Sequence, residues 1–525
     1  MDGRFVSHYN CAMTTPQSHK PLQKILIANR GEIANRLIKA CHELSIRAVA
    51  IYSEADAGAP WVRLADESYP LKGVTAVSTY LDQEAIFTIA RRSGAEAIHP
   101  GYGFLSENAS FAAACAGRGF TFIGPTAAAM RQMGSKALAR EVAQRAGVPV
   151  VPGVDAAGMS PEALQAAAAE MRYPILIKAS AGGGGKGMRV VWSENDLADA
   201  AQAARREAQS AFADDHILVE KYFSEIHHVE MQILADSHGT VLHLFERECS
   251  IQRRHQKIIE ETPAPVIQDD SLRRQMAEAA VLLAKAVNYI NAGTVEFIVD
   301  GDGKFYFLEM NTRLQVEHPI TEQVTGIDLA VWQIRIAAGE ELPFAQSDIE
   351  QRGHAIECRI YAEDPALQFL PSIGEISLYR PPTGPGVRVD DGIETGSQVT
   401  PYYDPMLAKV ITWGQNRSEA MRKMKQALRE TAVLGVTTNI PYLLAILQEP
   451  AFRAGNTNTN YLSEHMAEWQ PEMEPGEDDW LAAAAFEMLH GGGKSGGGGT
   501  AVRSAEFNQP NPWQDNSSWR NVQFR

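Results

Sequence analysis

From residue 24 the chain alternates two apolar patterns. Lys24–Ala28 (KILIA) is a short, mostly apolar run. Ile33, Leu37, Cys41 and Leu44 then recur at three- and four-residue intervals, the spacing of one helix face. Arg47–Tyr52 (RAVAIY) is again apolar, and the runs AEAIHPG and FTFIGP follow. This order predicts strand, helix, strand and further strands. Strands that alternate with helices argue for a parallel sheet with helices on its faces, over about residues 21–135.

SKALAREVAQRAG reads as a helix stopped by Gly147 and Pro149. YPILIKAS and MRVVWS then flank the glycine run Gly182–Gly185. Both flanks are β-prone, and the next helical pattern starts only near Asn195. Gly182, Gly184 and Gly187 satisfy G-x-G-x-x-G, but a dinucleotide loop opens directly into a helix, and the pattern predicts none there. A Walker loop also fails, because Gly187 stands where the Mg²⁺-binding hydroxyl belongs. The glycines are therefore expected at the tip of a β-hairpin. Beyond about residue 350, GHAIECRIYAED, Pro/Gly-rich turns and the helical pattern SEAMRKMKQALRETA predict a smaller mixed domain ending near Leu462. The tail contains an acidic stretch, a helical pattern in WLAAAAFEMLHG and the flexible linker GGGKSGGGG. It ends in PNPWQDNSSWRNVQFR, whose two tryptophans are expected to open a further domain.

Composition narrows the function classes. The 525 residues suit about two to four domains. Hydrophobic content is 45% and charged content 21%, ordinary for a globular chain. A net charge of −16 argues against nucleic acid or an anionic membrane surface as the main partner. The five cysteines (Cys11, Cys41, Cys115, Cys249, Cys358) are scattered and lack CxxC spacing, which predicts a reducing compartment and neither disulfide frame nor zinc site. No run approaches the roughly 18 apolar residues of a membrane span. The first 20 residues lack an apolar signal core and make a weak transit peptide. If Met13 is the true start, residues 1–12 are not structural.

Glu296 and Glu309 are the most informative pair. A hairpin of Val295–Asp300 and Phe305–Glu309 over Gly301–Lys304 would set Asp300 opposite Phe305, Ile298 opposite Phe307 and Glu296 opposite Glu309. Facing carboxylates destabilise a sheet unless a cation lies between them. Either they are solvated on an open face, or they hold a divalent ion. At period two, Asn311 and Arg313 reach the same face. Lys178 at a strand end and Lys136 in MGSK are either solvated or phosphate partners. VEKYF, from Glu220 to Phe223, suits an adenine pocket. RRHQK brings Arg253, Arg254, His255 and Lys257 into an acidic chain, and TRLQVEH adds Arg313 and Glu317. These are either a surface charge cluster or an anion site with a carboxylate base.

ANRGEIA, HPGYGFLSEN, KASAGGGGKGMRV, CSIQRRHQK and EMNTRLQVEHPITE occur in that order. Together they resemble biotin carboxylase, an ATP-grasp ligase, over about residues 22–465. The resemblance implies an α/β (mixed α+β) fold in five parts. Residues 1–20 form an extension and 21–135 a Rossmann-like N-terminal domain. Residues 136–350 form the ATP-grasp domain, with a glycine-rich lid at about 150–222. Residues 351–465 form the biotin carboxylase C-terminal domain, and 466–525 a linker and the start of a truncated domain. It implies carboxylation of biotin by bicarbonate and ATP through carboxyphosphate. Lys136, Lys178, Gly184, Gly185, Glu220, Lys221, Phe223, His228 and His255 match ATP-holding positions, together with Glu296 and Glu309. Glu296, Glu309 and Asn311 match the ligands of two Mg²⁺ or Mn²⁺ ions. Lys257, Arg313, Gln315 and Val316 match the bicarbonate pocket, Glu317 the base, and Arg359 the group that stabilises the biotin enolate.

The expected partners are a carrier protein or domain bearing biotin and a carboxyltransferase subunit, in a homodimer or larger hetero-oligomer, with neither nucleic acid nor membrane. The expected compartment is the cytoplasm, or the mitochondrial matrix in a eukaryote. The biotinylation motif A-M-K-M is absent; Glu419–Gln426 (EAMRKMKQ) is a helical near-miss. The tail resembles the methylcrotonyl- and geranyl-CoA carboxylase α subunits. A stand-alone acetyl- or propionyl-CoA carboxylase subunit, a carbamoyl-phosphate-type ligase and a non-catalytic scaffold are the alternatives. RRHQK and ECRIYAED count against the ligase, and the retained Lys257, Arg313 and Glu317 against the scaffold.

Overall fold

The computed structural model describes residues 21–179, 188–212, 215–254, 256–471 and 476–490. The sites expected at Gly184, Gly185 and His255 lie outside the described residues, as do the N-terminal extension and the tryptophan-bearing end of the tail. The first unit, up to Trp469, holds every candidate site residue. The described part of the second unit contains the helix Glu477–His490.

Near the N-terminus lies a five-stranded sheet, paired parallel throughout, in the order Glu67–Pro70, Arg47–Tyr52, Lys24–Ile27, Ala97–His99, Thr121–Phe122. Alternate residues leave a strand on opposite faces. Ile25, Ile27, Ala48 and Ala50 therefore join Ile33, Leu37 and Cys41 of helix Gly31–Glu43 in one core. Leu26, Ala28, Val49 and Ile51 join Ile86, Phe87 and Phe111 in another. Burial on both faces explains why these strands read as continuous apolar runs.

A four-stranded sheet follows, in the order Gly153–Asp155, Ile217–Lys221, Ile175–Ala179, Arg189–Val191. Helices Pro161–Met171 and Glu194–Phe212 cover it through Leu164, Ala168, Leu197, Ala201 and Ala204. The strands on either side of the glycine run pair antiparallel, with Ile175 opposite Val191 and Ile177 opposite Arg189.

The largest sheet has eight strands, in the order Phe305–Asn311, Asn291–Asp300, Ile226–Ala235, Val241–Arg253, Gln256–Thr262, His354–Tyr361, Met406–Gly414, Val387–Asp391. It runs across residue 350 without an edge, so the last three strands extend the sheet that starts upstream. Its two faces differ. Val229, Met231, Ile233, Val295, Phe297 and Val299 pack on helix Asp270–Ala286 through Met276, Ala280 and Leu283. The alternate positions Glu230, Gln232, Thr294 and Glu296 therefore point the other way, and all four are buried. Helix His318–Thr325 seats Ile320 and Val324 with Ala355 and Ile411. The sheet thus offers a buried charged face, and the residue before that helix is Glu317.

Candidate active site

Glu296 and Glu309 stand directly opposite each other. At the hairpin tip the expected register is corrected by one residue. Val299 pairs with Phe305 and Ile298 with Tyr306, and a bulge between Phe297 and Glu296 restores Glu296 to Glu309. The cause is Asp300, whose Oδ1 accepts from the amides of Asp302 and Lys304 at 3.0 and 2.9 Å. This side-chain turn brings Lys304 back to Asp300, one residue earlier than strand alternation predicts. Asn311 reaches the carboxylate face as expected, its Nδ2 donating to Glu296 Oε1 at 2.8 Å. Arg313 follows, donating to Asn311 Oδ1 at 3.0 Å and Gln315 Oε1 at 2.9 Å.

The two carboxyls differ electrostatically. Burial opposes the charge of Glu296, but Lys257 and His228 outweigh it and hold the carboxyl below its ordinary range. His228 Nε2 lies 2.9 Å from Glu296 Oε2. Burial raises the Glu309 carboxyl, and the facing Glu296 raises it further. Facing carboxylate oxygens suit a hard divalent cation, which relieves this repulsion, and Asn311 would add its amide oxygen on turning Oδ1 from Arg313 toward Glu296. The residues present fit such an ion.

Lys257 is the hub. Its Nζ donates to Glu230 Oε2 at 2.6 Å, Glu296 Oε1 at 3.0 Å and Glu317 Oε1 at 2.8 Å. Burial works against its charge, but Cys249 and the three carboxylates outweigh burial and raise its pKa well above the usual lysine value. Glu317 is fully buried, and its Oε2 accepts from Arg359 at 2.9 Å. Burial alone would raise its carboxyl; Lys257, Arg359 and Arg247 hold it well below the ordinary range. Val316 is half-buried and Gln315 donates to Glu296 Oε1 at 3.1 Å. Lys257, Arg313, Gln315, Val316, Glu317 and Arg359 therefore form one cluster with Glu296.

The residues matched to nucleotide positions gather at the four-stranded sheet and its neighbours. Lys136 opens helix Lys136–Arg145, whose N-cap is Ser135. Its pKa is lowered by burial and by Lys178, against Glu309 and Glu220. Lys178 Nζ lies 2.5 Å from Glu220 Oε2, and Arg140 is 3.3 Å from Oε1. Phe223 stacks on Tyr306 with ring centroids 5.1 Å apart. Lys221 turns its Nζ to the Arg172 carbonyl, 2.9 Å away. Arg253 belongs to a separate contact, an ion pair with Glu363 beside Phe369.

The sequence reading missed several members. Glu230 lies two residues after His228 on one strand, so period two could have found it. Arg247 is fully buried and donates to Glu230, Gln232, Thr321 and Thr294. Glu260 accepts from Arg359 at 2.6 Å, and burial pushes its carboxyl up to about 7. Glu107 accepts from Arg313 at 2.9 Å. Hydropathy and spacing do not join Glu260 or Glu107 to the site, because their contacts span 99 and 206 residues.

Three family models match the chain. They are the biotin carboxylase N-terminal domain over residues 21–130, the carbamoyl-phosphate synthase L chain ATP-binding domain over 135–345, and the biotin carboxylase C-terminal domain over 357–464. Biotin carboxylase 1 of Bacillus subtilis is 50% identical over 442 residues, covering 84% of this chain and 98% of that one. The mitochondrial methylcrotonoyl-CoA carboxylase subunit alpha of Dictyostelium discoideum is 48% identical over 471 residues, covering 90% of this chain and 67% of that one. The chain thus spans about two thirds of that relative. A crystal structure of the Hydrogenobacter thermophilus 2-oxoglutarate carboxylase biotin carboxylase domain dimer, with MgADP, ADP and bicarbonate, superposes with a TM-score of 0.81. It is 48% identical and covers 85% of this chain and 98% of that one. No helix among the described residues is long and apolar enough to cross a membrane.

Proposed function

The chain belongs to the biotin carboxylase family, and we propose that Glu317, clamped between Lys257 and Arg359, is the base of its bicarbonate-dependent carboxylation of biotin. The chain is an ATP-dependent ligase of the ATP-grasp type, the biotin carboxylase component of a biotin-dependent carboxylase. ATP, Mg²⁺, bicarbonate and biotin are its reactants and cofactor. The clamp carries the residue assignment. A buried carboxylate between two cations is charged yet a poor proton acceptor, and a base works best with its pKa near the operating pH. Bicarbonate arriving among Lys257, Arg313, Gln315 and Val316 draws the charge of Lys257 toward itself. Glu317 then loses part of its clamp and its proton affinity rises where the substrate proton is presented.

Lys136 and Lys178 are assigned to the phosphates of ATP, with Glu220, Lys221 and Phe223 nearby. Glu296, Glu309 and Asn311 are assigned to hold the divalent ions, which would neutralise phosphate charge during phosphoryl transfer. Gly184, Gly185 and His255 are assigned to ATP by their sequence motifs alone. Arg359 is assigned to the ureido oxygen of biotin, because its guanidinium meets Glu317 directly and presents several donors.

Carboxylases of this family work with a biotin carrier and a carboxyltransferase. We assign this chain a carrier on a separate segment or chain and a dimeric or larger assembly. The methylcrotonoyl type is the favoured acyl-CoA class, on the similarity that continues past the C-terminal domain match. A reducing compartment, cytoplasmic or mitochondrial, suits the four described cysteines, which are free and buried. ADP release is to be measured with and without bicarbonate and free biotin. Stimulation by both is expected, and release indifferent to biotin would overturn the reading.

A further inference from the structure

The turn that carries Glu317 is gripped from behind by a lysine to which none of these roles is assigned. Lys409, on strand Met406–Gly414, is fully buried. Its Nζ donates to the Val316 carbonyl at 2.7 Å and lies 3.2 Å from Glu32 Oε1 and 3.8 Å from Asp390 Oδ2. The partners come from three parts of the chain: helix Gly31–Glu43, the turn before helix His318–Thr325, and strand Val387–Asp391.

An ammonium has three donors, and a buried one needs compensating charge. Glu32 and Asp390 supply that charge. The bond to Val316 compensates no charge, so its effect is geometric. That carbonyl shares a peptide plane with the Glu317 amide. Helix His318–Thr325 holds the plane that follows, so fixing this one sets φ of Glu317 at −81° and with it the direction in which the side chain leaves the backbone. The far end of the helix is held from the same two flanking regions. Glu322 pairs with Arg36 at 3.0 Å and with Arg388 at 2.7 Å. The helix is therefore pinned at both ends. A displacement of about 1 Å at a reacting group can cost on the order of a hundredfold in rate.

We infer that Lys409 is a positioning residue for the reaction: by holding the Val316 carbonyl it aims the Glu317 carboxylate and shapes the Gln315–Val316–Glu317 pocket. The inference rests on the role proposed above for Glu317.

The test uses the full chain and three variants, K409M, E32Q and the charge-neutral double E32Q/K409M. The double variant is included because K409M alone leaves Glu32 without its cation, whereas Asp390 keeps its bonds from Arg388 at 2.9 and 2.8 Å. Steady-state ADP release gives kcat/KM for bicarbonate, and calorimetry gives MgADP affinity. K409M and the double variant should each lose at least tenfold in kcat/KM for bicarbonate and keep MgADP affinity within twofold. E32Q, which keeps the bond to Val316, should stay within threefold on both. If K409M is insoluble, the double variant and E32Q decide. Unchanged bicarbonate kinetics would overturn the inference. So would a loss already complete in E32Q, or an equal fall in MgADP affinity. Biotin stimulation of the parent chain reports separately on the functional reading.

Discussion

Glu317 and Arg359 meet at 2.9 Å in the interior, and the other oxygen of Glu317 meets Lys257 at 2.8 Å. Both carboxylate oxygens are thus engaged by cations. Glu317→Gln keeps the shape but places an amide NH₂ against one of them. General-base loss costs about 10²- to 10⁴-fold. E317Q should therefore lose at least a hundredfold in biotin-dependent turnover and keep its MgADP affinity. A parallel loss of nucleotide affinity, read by calorimetry, would assign Glu317 a different role.

Lys257→Met strips three carboxylates of a shared cation. Losing one partner of a buried ion pair costs about 3–5 kcal/mol. Glu296 and Glu317 have lowered pKa values, so in the parent they add stability at neutral pH that is lost on acidification through those values. Without Lys257 the carboxyls titrate higher and penalise the fold mainly where they are charged. The melting-temperature deficit of K257M should be larger at pH 8 than at pH 5. A deficit equal at both would mean the lysine acts by packing alone.

Local pattern made part of this site legible. Hairpin alternation placed Glu296 opposite Glu309, because the one-residue slip at the tip is cancelled by the bulge between Phe297 and Glu296. It missed the slip at the tip, since the hydrogen bonds from Asp300 to its own turn compete with the ladder and leave no trace in hydropathy. The parallel sheet near the N-terminus was readable because its strands are apolar on both faces. The continuation of the large sheet past residue 350 was not, because register between distant strands is set by packing. The Arg313–Glu107 pair spans 206 residues and the Lys409–Val316 bond spans 93. Neither has a local signature.

Glu260 should make stability depend on pH near neutrality. Burial raises its folded-state pKa to about 7, against an ordinary value near 4.3. The folded state therefore binds this proton more tightly than the unfolded one. That contribution is complete below about pH 4.3 and is lost as pH rises through 7. Glu260→Gln cannot titrate. The stability of E260Q relative to the parent should rise between pH 5 and pH 8 in urea unfolding. A difference that stays flat across this range would mean that Arg359 keeps Glu260 charged throughout.

Glu309 offers the cleanest test of the ion site. It faces Glu296 across the ladder, and its carboxyl is raised by burial and by that neighbour. A divalent cation between them removes the repulsion and binds only the folded chain. Ligands of that kind stabilise by an amount that grows with concentration, about 2.7 kcal/mol at one hundred times Kd. Mn²⁺ with ADP should raise the melting temperature of the parent above that with ADP and EDTA. Glu309→Gln removes a charged donor but also the like-charge repulsion. Its metal-free melting temperature should match or exceed that of the parent, while the increment from Mn²⁺ falls by at least half. An undiminished increment in E309Q would move the ion to the neighbouring group His228, Glu230 and Glu296, whose donor atoms lie within 4.8 Å of one another.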